Sequence, residues 1–346
     1  MSEPTPGARP TLEAVAARAG VSRATASRVV NGGAGVRSPL VEKVRRAVDE
    51  LGYVPNHAAR SLVTRRTGAV AVIIAEPEIR IFSDPFFSQQ IRGISKELTA
   101  HDTQLVLLLL EGPGDYDRIA RYLAGGHVDG ALAFSLHTDD PIPAITQRAG
   151  IPTVYGGRPS WTSAADQRVV PYVDADNRGG ARQAVRYLRD LGRRRIAHIA
   201  GPLDQTSATD RLDGYRDVLM DEDPALVAAG AFTEESGARA MAELLDRCPG
   251  LDAVFAANDL MAAGALRVLK ERGRSVPGDV AVVGFDDMDA VVGVTDPALT
   301  TVQQDVDGQG RLMARLLLRG LDRDREGSTA PTSVITPTTL VRRDSA

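Results

Sequence analysis

The sequence predicts two unlike folds in one chain: a small all-α helix-turn-helix headpiece, then a larger α/β body built from two parallel sheets. Three observations carry this. Thr11 to Asn31 holds two short helical repeats around a glycine turn. From Ala69 the pattern changes to apolar, strand-length runs that alternate with helical segments. The charge changes sign at the same place, because residues 1 to 66 carry 11 Lys+Arg against 5 Asp+Glu and the remainder carries 30 against 40. A basic head on an acidic body points to a head that meets phosphate. At 346 residues the chain is also long for one compact core.

The headpiece comes first. Residues 1–10, rich in Pro and Gly, are expected to be a disordered lead-in, and 11–54 the headpiece proper. Thr11 is placed to cap a first helix and Ser22 a second, with the break at Ala19-Gly20-Val21. In the second helix Ala26, Val29 and Val30 share one face at helical spacing and would pack on Leu12, Val15 and Ala16. Arg23, Ala24, Thr25, Ser27 and Arg28 are left turned outward. That basic, hydroxyl-rich face suits the DNA major groove, although two ordinary amphipathic helices with solvated arginines fit the same pattern. Ser38-Pro39 reads as the N-cap and first position of a third helix whose buried stripe is Val41, Val44, Val48 and Leu51, closed by Gly52.

The next segment, 55–66, has two readings. Asn56 can cap a short helix through His57, Ala58, Ala59, Arg60, Ser61 and Leu62, too short to hold without a partner. Small residues with Arg60 and a projecting Leu62 suit a minor groove, where the leucine would wedge between base steps. A plain interdomain linker is the alternative.

Strand candidates in the body start at Ala69, Leu105, Val128, Pro152, Arg195, Ala253 and Val280. Helical segments lie between most of them, among them Phe86 to Ala100, Asn177 to Leu191, Thr209 to Met220, Gly237 to Arg247 and Asp259 to Arg272. Strands apolar throughout imply sheets covered on both faces. The expected split is a first subdomain of about 67–170 plus 302–325 and a second of about 171–301 plus 326–343. In open α/β sheets ligands sit beyond the carboxyl ends of the strands. That rule selects Ser83 to Phe87, Ser135, Gly157-Arg158, Asp204 to Arg211, Phe232, Asn258-Asp259 and Asp286-Asp287. Arginine, carboxylates, an amide and aromatic faces suit a polar, hydroxylated small molecule. Core packing for Phe86 and Phe87, a helix cap for Asp259 and plain solvation for Asp287 stay open.

Several classes drop out. The lone Cys248 excludes an intramolecular disulfide and fits a reducing cytoplasm. The first residues lack the apolar stretch of a secretory signal, and no apolar run reaches membrane-spanning length. No G-x-S-x-G elbow or phosphate-binding glycine loop is present; His57, His101, His127, His137 and His198 are scattered, and His198 reads as a core residue of its strand. An enzyme, a cofactor or a metal is therefore not expected. A ligand-carrying solute-binding protein would share the body but not the basic head.

Several blocks in order resemble the LacI/GalR family of bacterial transcriptional repressors. They are T-L-E-A-V-A-A-R-A-G-V-S-R-A-T-A-S-R-V-V-N followed by G-Y-V-P-N-H-A-A-R-S-L, then T-D-R-L-D-G-Y, F-A-A-N-D-L-M-A-A-G-A-L, V-V-G-F-D-D, P-A-L-T-T-V-Q-Q and T-L-V-R-R. The resemblance implies a headpiece, a hinge helix and an effector domain similar to periplasmic sugar-binding proteins. It implies base selection by Arg23 and Ala24 with Arg28 beside them, DNA-backbone contacts by Thr25, Ser27 and Asn31, and intercalation by Leu62. In the effector cleft it implies ligand contacts from Phe87, Arg211, Phe232, Asn258 and Asp286, then Phe86, Gln205, Ser207 and Arg158. Two positions depart from it. Ala24 is small, which shifts base choice to Arg23 and Arg28, and Gly157-Arg158 stands where an aspartate often follows the fourth strand. Arg158 in that place inclines the expected effector toward an oligosaccharide or a phosphorylated sugar. The implied protein is a cytoplasmic homodimer, nucleoid-associated when bound to a near-palindromic operator, with no membrane partner. The absence of a leucine-heptad tail points away from tetramers.

Overall fold

Side-chain caps and buried valines and alanines define the headpiece. In the computed structural model, which describes residues 10–30, 35–54, 66–110, 112–160, 170–220, 223–323 and 333–346, the chain divides into Met1–Gly68 and Ala69–Ala346. The first unit contains α1 (Leu12–Ala19), α2 (Arg23–Val30) and α3 (Ser38–Leu51). Thr11 Oγ1 accepts from the Ala14 N–H at 3.2 Å and Ser22 Oγ from the Thr25 N–H at 3.1 Å, so both expected caps are in place. Such a cap contributes about 1 kcal/mol. Gly20, at φ 65°, ends α1 in a left-handed conformation that costs a residue without a Cβ little. Val15, Ala26 and Val44 are fully buried where the three helices meet.

One cap differs from expectation. The residue before α3 is Arg37, with no side-chain cap bond, and Ser38 lies inside the first turn with Pro39. Asn31 lies outside the described residues, as do residues 1–9 and the four hinge positions Asn56, Ala59, Arg60 and Leu62.

In the second unit the chain runs β1 (Ala69–Ile74), α4 (Glu78–Ser83), α5 (Pro85–Thr99), β2 (Gln104–Leu109), α6 (Pro113–Ala124), β3 (Gly130–Phe134), α7 (Ile142–Arg148), β4 (Thr153–Gly156) and β5 (Tyr172–Ala175). It continues through α8 (Asn177–Asp190), β6 (Ile196–Ala200), α9 (Thr206–Leu219), β7 (Val227–Ala229), α10 (Glu234–Arg247), β8 (Ala253–Ala256), α11 (Asp259–Glu271), β9 (Ala281–Asp286), α12 (Asp289–Val292) and β10 (Thr300–Gln303). The last elements are α13 (Val306–Arg323), β11 (Val334–Thr336) and β12 (Thr339–Val341). The strands form two six-stranded sheets, β11-β5-β4-β3-β1-β2 and β12-β10-β9-β8-β6-β7. Every pairing is parallel except β10 with β12.

The central strands of each sheet are covered on both faces, which is why β1, β3 and β8 are apolar and buried at nearly every position. Val70, Val72 and Ile74 of β1 meet Ile94, Leu98 and Met313 on one side, while Ala71 and Ile73 meet Ile119, Leu123 and Ile142 on the other. Helices α5 and α13 cross so closely that a methyl group at Gly93 or Gly310 would strike the backbone of the facing helix. In the second sheet Ile199, Val254 and Ala256 face Met241, Leu244 and Leu269, and Phe255, Val283 and Phe285 face Leu188, Leu212 and Tyr215.

Strand pairing moves two segments from where the sequence reading placed them. β5 and β11 belong to the first sheet, not to the second subdomain. The chain therefore passes between sheets after Ala175, after Gln303 and after Thr336. β5, β7, β10, β11 and β12 are three or four residues long, too short for a periodic signal, and were not among the strand candidates.

Candidate functional site

On the headpiece, α2 turns Ala26 inward and leaves Arg23, Ala24 and Arg28 exposed, with Thr25 and Ser27 half-buried beside them. Arg23 is not idle: its Nε donates to Glu13 Oε1 on α1 at 2.5 Å, and both side chains are well exposed. The Glu13 carboxyl is held below its ordinary pKa by its own backbone hydrogen bond and by Arg23. An ion pair this exposed is weak, so a phosphate or a guanine edge can take the guanidinium. Ser22 and Thr25 hydroxyls lie 2.9 Å apart and each retains capacity for an outside partner.

In the second unit the loops beyond the strands of both sheets converge on one cleft of about 950 Å³, its mouth included. Phe86, Phe87, Arg158, Gln205, Ser207, Arg211, Phe232, Asn258 and Asp286 all stand on its wall. Among the described residues, Asp102, Ser135, Met220, Phe232, Asp286 and Asp287 have positive φ without being glycine. Such backbone strain collects at functional sites, and Ser135, Phe232 and Asp286 of this set line the cleft.

Arg211 forms the polar floor of the second lobe. Its Nε donates to Asn177 Oδ1 at 2.9 Å, a terminal nitrogen donates to the Ala257 carbonyl, another lies 3.3 Å from Asp286 Oδ1, and the guanidinium sits 3.7 Å from the Phe285 ring centroid. Burial lowers the Arg211 pKa and raises that of Asp286, and each charge survives by facing the other. Gln304 also donates to Asp286, at 2.6 Å. Asn258, not Asp259, caps α11: its Oδ1 accepts from the Met261 N–H at 2.9 Å while Nδ2 donates to the Phe232 carbonyl at 3.0 Å. Asp259 is buried behind it, accepting from Thr301 and the Met288 N–H, and burial beside Asp286 pushes its pKa well up. Asp287 is anchored by Arg343 at 2.7 Å and Gln303 at 2.8 Å rather than left to solvent.

Arg158 is paired with Asp210 of the opposite lobe at 2.6 Å, so it offers no free cation. Its own N–H donates to Asp174 at the end of β5, which accepts also from the Ala175 N–H and from Asn177. Burial raises the Asp174 pKa to about 6. Burial does the same to Asp84, to about 6, although Asp84 caps α5 through the Phe86 N–H.

Beside the cleft runs a network of which the sequence reading picked out Ser135, Asp204 and Gln205 but not Glu76, Arg80 or His137. Buried Glu76 accepts from Ser135 Oγ at 2.5 Å and from Gln205 Nε2 at 2.9 Å, and Arg80 pairs with it at 2.6 Å. His137 lies between Glu76 and Asp204, 2.7 Å from the latter, and these carboxylates raise its pKa to about 9 against the effect of burial. Burial would raise Glu76, but His137, Arg80 and Ser135 hold it below the usual carboxylate range. Gln90, Asn177, Gln304 and Gln309 line the cleft as well. Gln90 shares the inner face of α5 with Phe86 and Phe87, one turn on, and that spacing was the available signal. Phe87 is both core and wall, packed edge-on to Phe86 and stacked on Phe134. His198 is core: it is fully buried between Tyr215 and Phe255, and burial lowers its pKa to about 4.

A helix-turn-helix unit with an exposed basic helix, joined in one chain to a two-lobed ligand cleft, defines a DNA-binding regulator with a small-molecule sensor. Comparison with known proteins agrees. Residues 11–56 match the bacterial regulatory proteins of the lacI family, and residues 185–346 match the periplasmic binding protein-like domain. Over 341 residues the chain is 49% identical to the HTH-type transcriptional regulator CelR of Thermobifida fusca, covering 97% of this chain and 98% of that one. A solved transcriptional regulator CelR-cellobiose complex superposes at a TM-score of 0.76 with 47% identity, over 98% of this chain and all of that one. The lac repressor dimer bound to operator and the anti-inducer ONPF gives 0.82 with 28% identity, over 98% and 99%. The chain belongs to the lacI family of bacterial regulatory proteins.

Proposed function

We propose that this protein is a homodimeric repressor that binds a near-palindromic operator and is switched by a neutral oligosaccharide held between its two lobes, cellobiose being the first candidate. The wall charges carry the ligand class. Arg80, His137, Arg158 and Arg211 each face a carboxylate, while among the described residues Asp84 and Asp174 have no cation of their own within ion-pair distance. A phosphorylated sugar would find carboxylates where it needs free cations, and the phosphorylated alternative is set aside on that ground. A neutral polyol finds acceptors, donors and the faces of Phe86, Phe87 and Phe232. The relatives support the same reading, since a CelR is solved with cellobiose and the lac repressor is solved as an operator-bound dimer.

In this reading Arg23, Ala24 and Arg28 read bases, Thr25 and Ser27 meet the backbone, and the nine cleft residues named above touch the effector. The effector acts only through unequal affinity for DNA-bound and DNA-free arrangements of the lobes. Regulation rather than catalysis is the role, in the cytoplasm and at the nucleoid when the operator is occupied. Among the described residues no helix is long and apolar enough to cross a membrane. The test is titration calorimetry with cellobiose, cellobiose 6-phosphate and ribose, followed by operator binding with each hit. Cellobiose is expected to bind and to change operator affinity. Preference for the phosphorylated sugar would overturn the ligand class, and an operator affinity indifferent to every hit would overturn the switch.

A further inference from the structure

Two polar atoms on the cleft wall take no part in the pairs above. Arg80 Nε and Gln90 Oε1 are buried, and among the described residues neither has a hydrogen-bond partner. A third such atom, His198 Nε2, belongs to a residue that does not line the cleft. Folded proteins rarely leave a buried donor or acceptor unmatched, because it has given up water for nothing. Here the unmatched atoms are one donor and one acceptor, both from first-lobe residues on the same wall.

Their surroundings explain why the protein does not satisfy them. Arg80 is tethered to Glu76 at 2.6 Å, and its guanidinium carbon lies 5.7 Å from the ring centroid of Phe87 and 5.6 Å from that of Phe232, one ring from each lobe. Ring faces attract the cation but offer its in-plane N–H no oxygen. The Gln90 amide nitrogen is engaged with the thioether of Met313 at 2.9 Å. The Gln90 backbone is pinned as well, since its carbonyl lies against Gly310 of α13 with no room for a methyl group between.

We propose that Arg80 and Gln90 are ligand-reading residues: Arg80 donates to, and Gln90 accepts from, hydroxyl groups of the saccharide held between the lobes. This rests on the neutral-saccharide reading. A hydroxyl both donates and accepts, so a polyol matches the two atoms without bringing charge into a wall already balanced by ion pairs. Both atoms are sealed from solvent as the walls stand, so the pairing takes a small side-chain shift when the sugar enters, a common change on binding.

The test is calorimetry on the full-length protein with cellobiose and its monodeoxy analogues, comparing the wild type with Gln90→Leu and Arg80→Lys. The leucine removes the acceptor at similar volume; the lysine keeps the charge beside Glu76 but loses the Nε–H. Each change is expected to weaken cellobiose about tenfold. One deoxy analogue should lose affinity for the wild type but lose nothing further against Gln90→Leu, a signature that general damage to the fold does not produce. Gln90→Leu without sugar should melt no lower than the wild type. The assignment is overturned if both variants hold cellobiose within about twofold of the wild type, or if every analogue loses as much against the variants. If the wild type binds neither cellobiose nor any other neutral disaccharide, the ligand class falls first and this assignment with it.

Discussion

The arginines of the headpiece and those of the cleft are the same side chain put to opposite use. On α2, Arg23 and Arg28 project into solvent, and the partner of Arg23, Glu13, is itself exposed. In the cleft, Arg211 is buried and held by an amide, a carbonyl, a carboxylate and an aromatic face. A cation that must meet a polyanion is kept in water, where its local pair is cheap to break. A cation that must orient a neutral ligand is neutralised in place, because buried and alone it would destabilise the fold.

The sharpest way to break this contrast is to remove one arginine of each kind. Arg211→Ala leaves Asp286 buried without its countercharge and should cost about 3–5 kcal/mol of stability along with cellobiose binding. Denaturant titration measures the first and calorimetry the second; a variant of wild-type stability would mean that Arg211 is not what balances Asp286. In the headpiece, Arg23→Ala and Arg28→Ala should each weaken operator binding by about 1–3 kcal/mol and lower its salt dependence, while melting and cellobiose affinity stay put. Cellobiose affinity should barely respond to the same range of salt.

Titration sharpens the comparison at smaller scale. His137 is raised to about 9 in the fold from an ordinary 6.5. Its favourable pairing with Glu76 and Asp204 is therefore complete below pH 6.5 and is lost as pH climbs through 9. Asp84 is raised from 3.8 to about 6, so its ionisation removes stability as pH rises from 3.8 through 6. Each group lowers the melting temperature within its window, and Asp174, also raised to about 6, adds to the lower one. His137→Gln is expected to flatten the upper window, and Asp84→Asn, which keeps the helix cap, to reduce the lower one without abolishing it. Unchanged profiles would show that these groups do not couple to folding. The smallest effect concerns Glu13: Glu13→Gln frees Arg23 from an exposed pair and should tighten operator binding slightly, by less than about fivefold, in a fluorescence-anisotropy titration.

Much of the site was legible because its residues follow strands directly. Asn258 lies two residues past the end of β8 and Asp286 is the last residue of β9, and the rule that ligands lie past strand ends found them without coordinates. The network beside the cleft was not legible as a network. Gln205 and Glu76 are 129 positions apart, and neither shows in its own neighbourhood that it will meet the other. Asp174 was hidden for a different reason: its strand has four residues, and only pairing with β4 and β11 makes it a strand.

Local chemistry alone determined the two-part architecture, the caps of α1 and α2, the outward face of α2 and the loops from which the cleft is built. All of these are written in spacings of a few residues, in side chains that cap, periodicities that bury one face and apolar runs that need cover on two. The tertiary structure decided which carboxylate meets which arginine, and with that the charge available to a ligand. Arg158 shows the difference: in sequence it reads as a free cation at a strand end, and in the fold Asp210 from the other lobe occupies it at 2.6 Å. Ion pairing depends on distance through space, and two lobes joined by three crossings bring together charges that the chain keeps far apart.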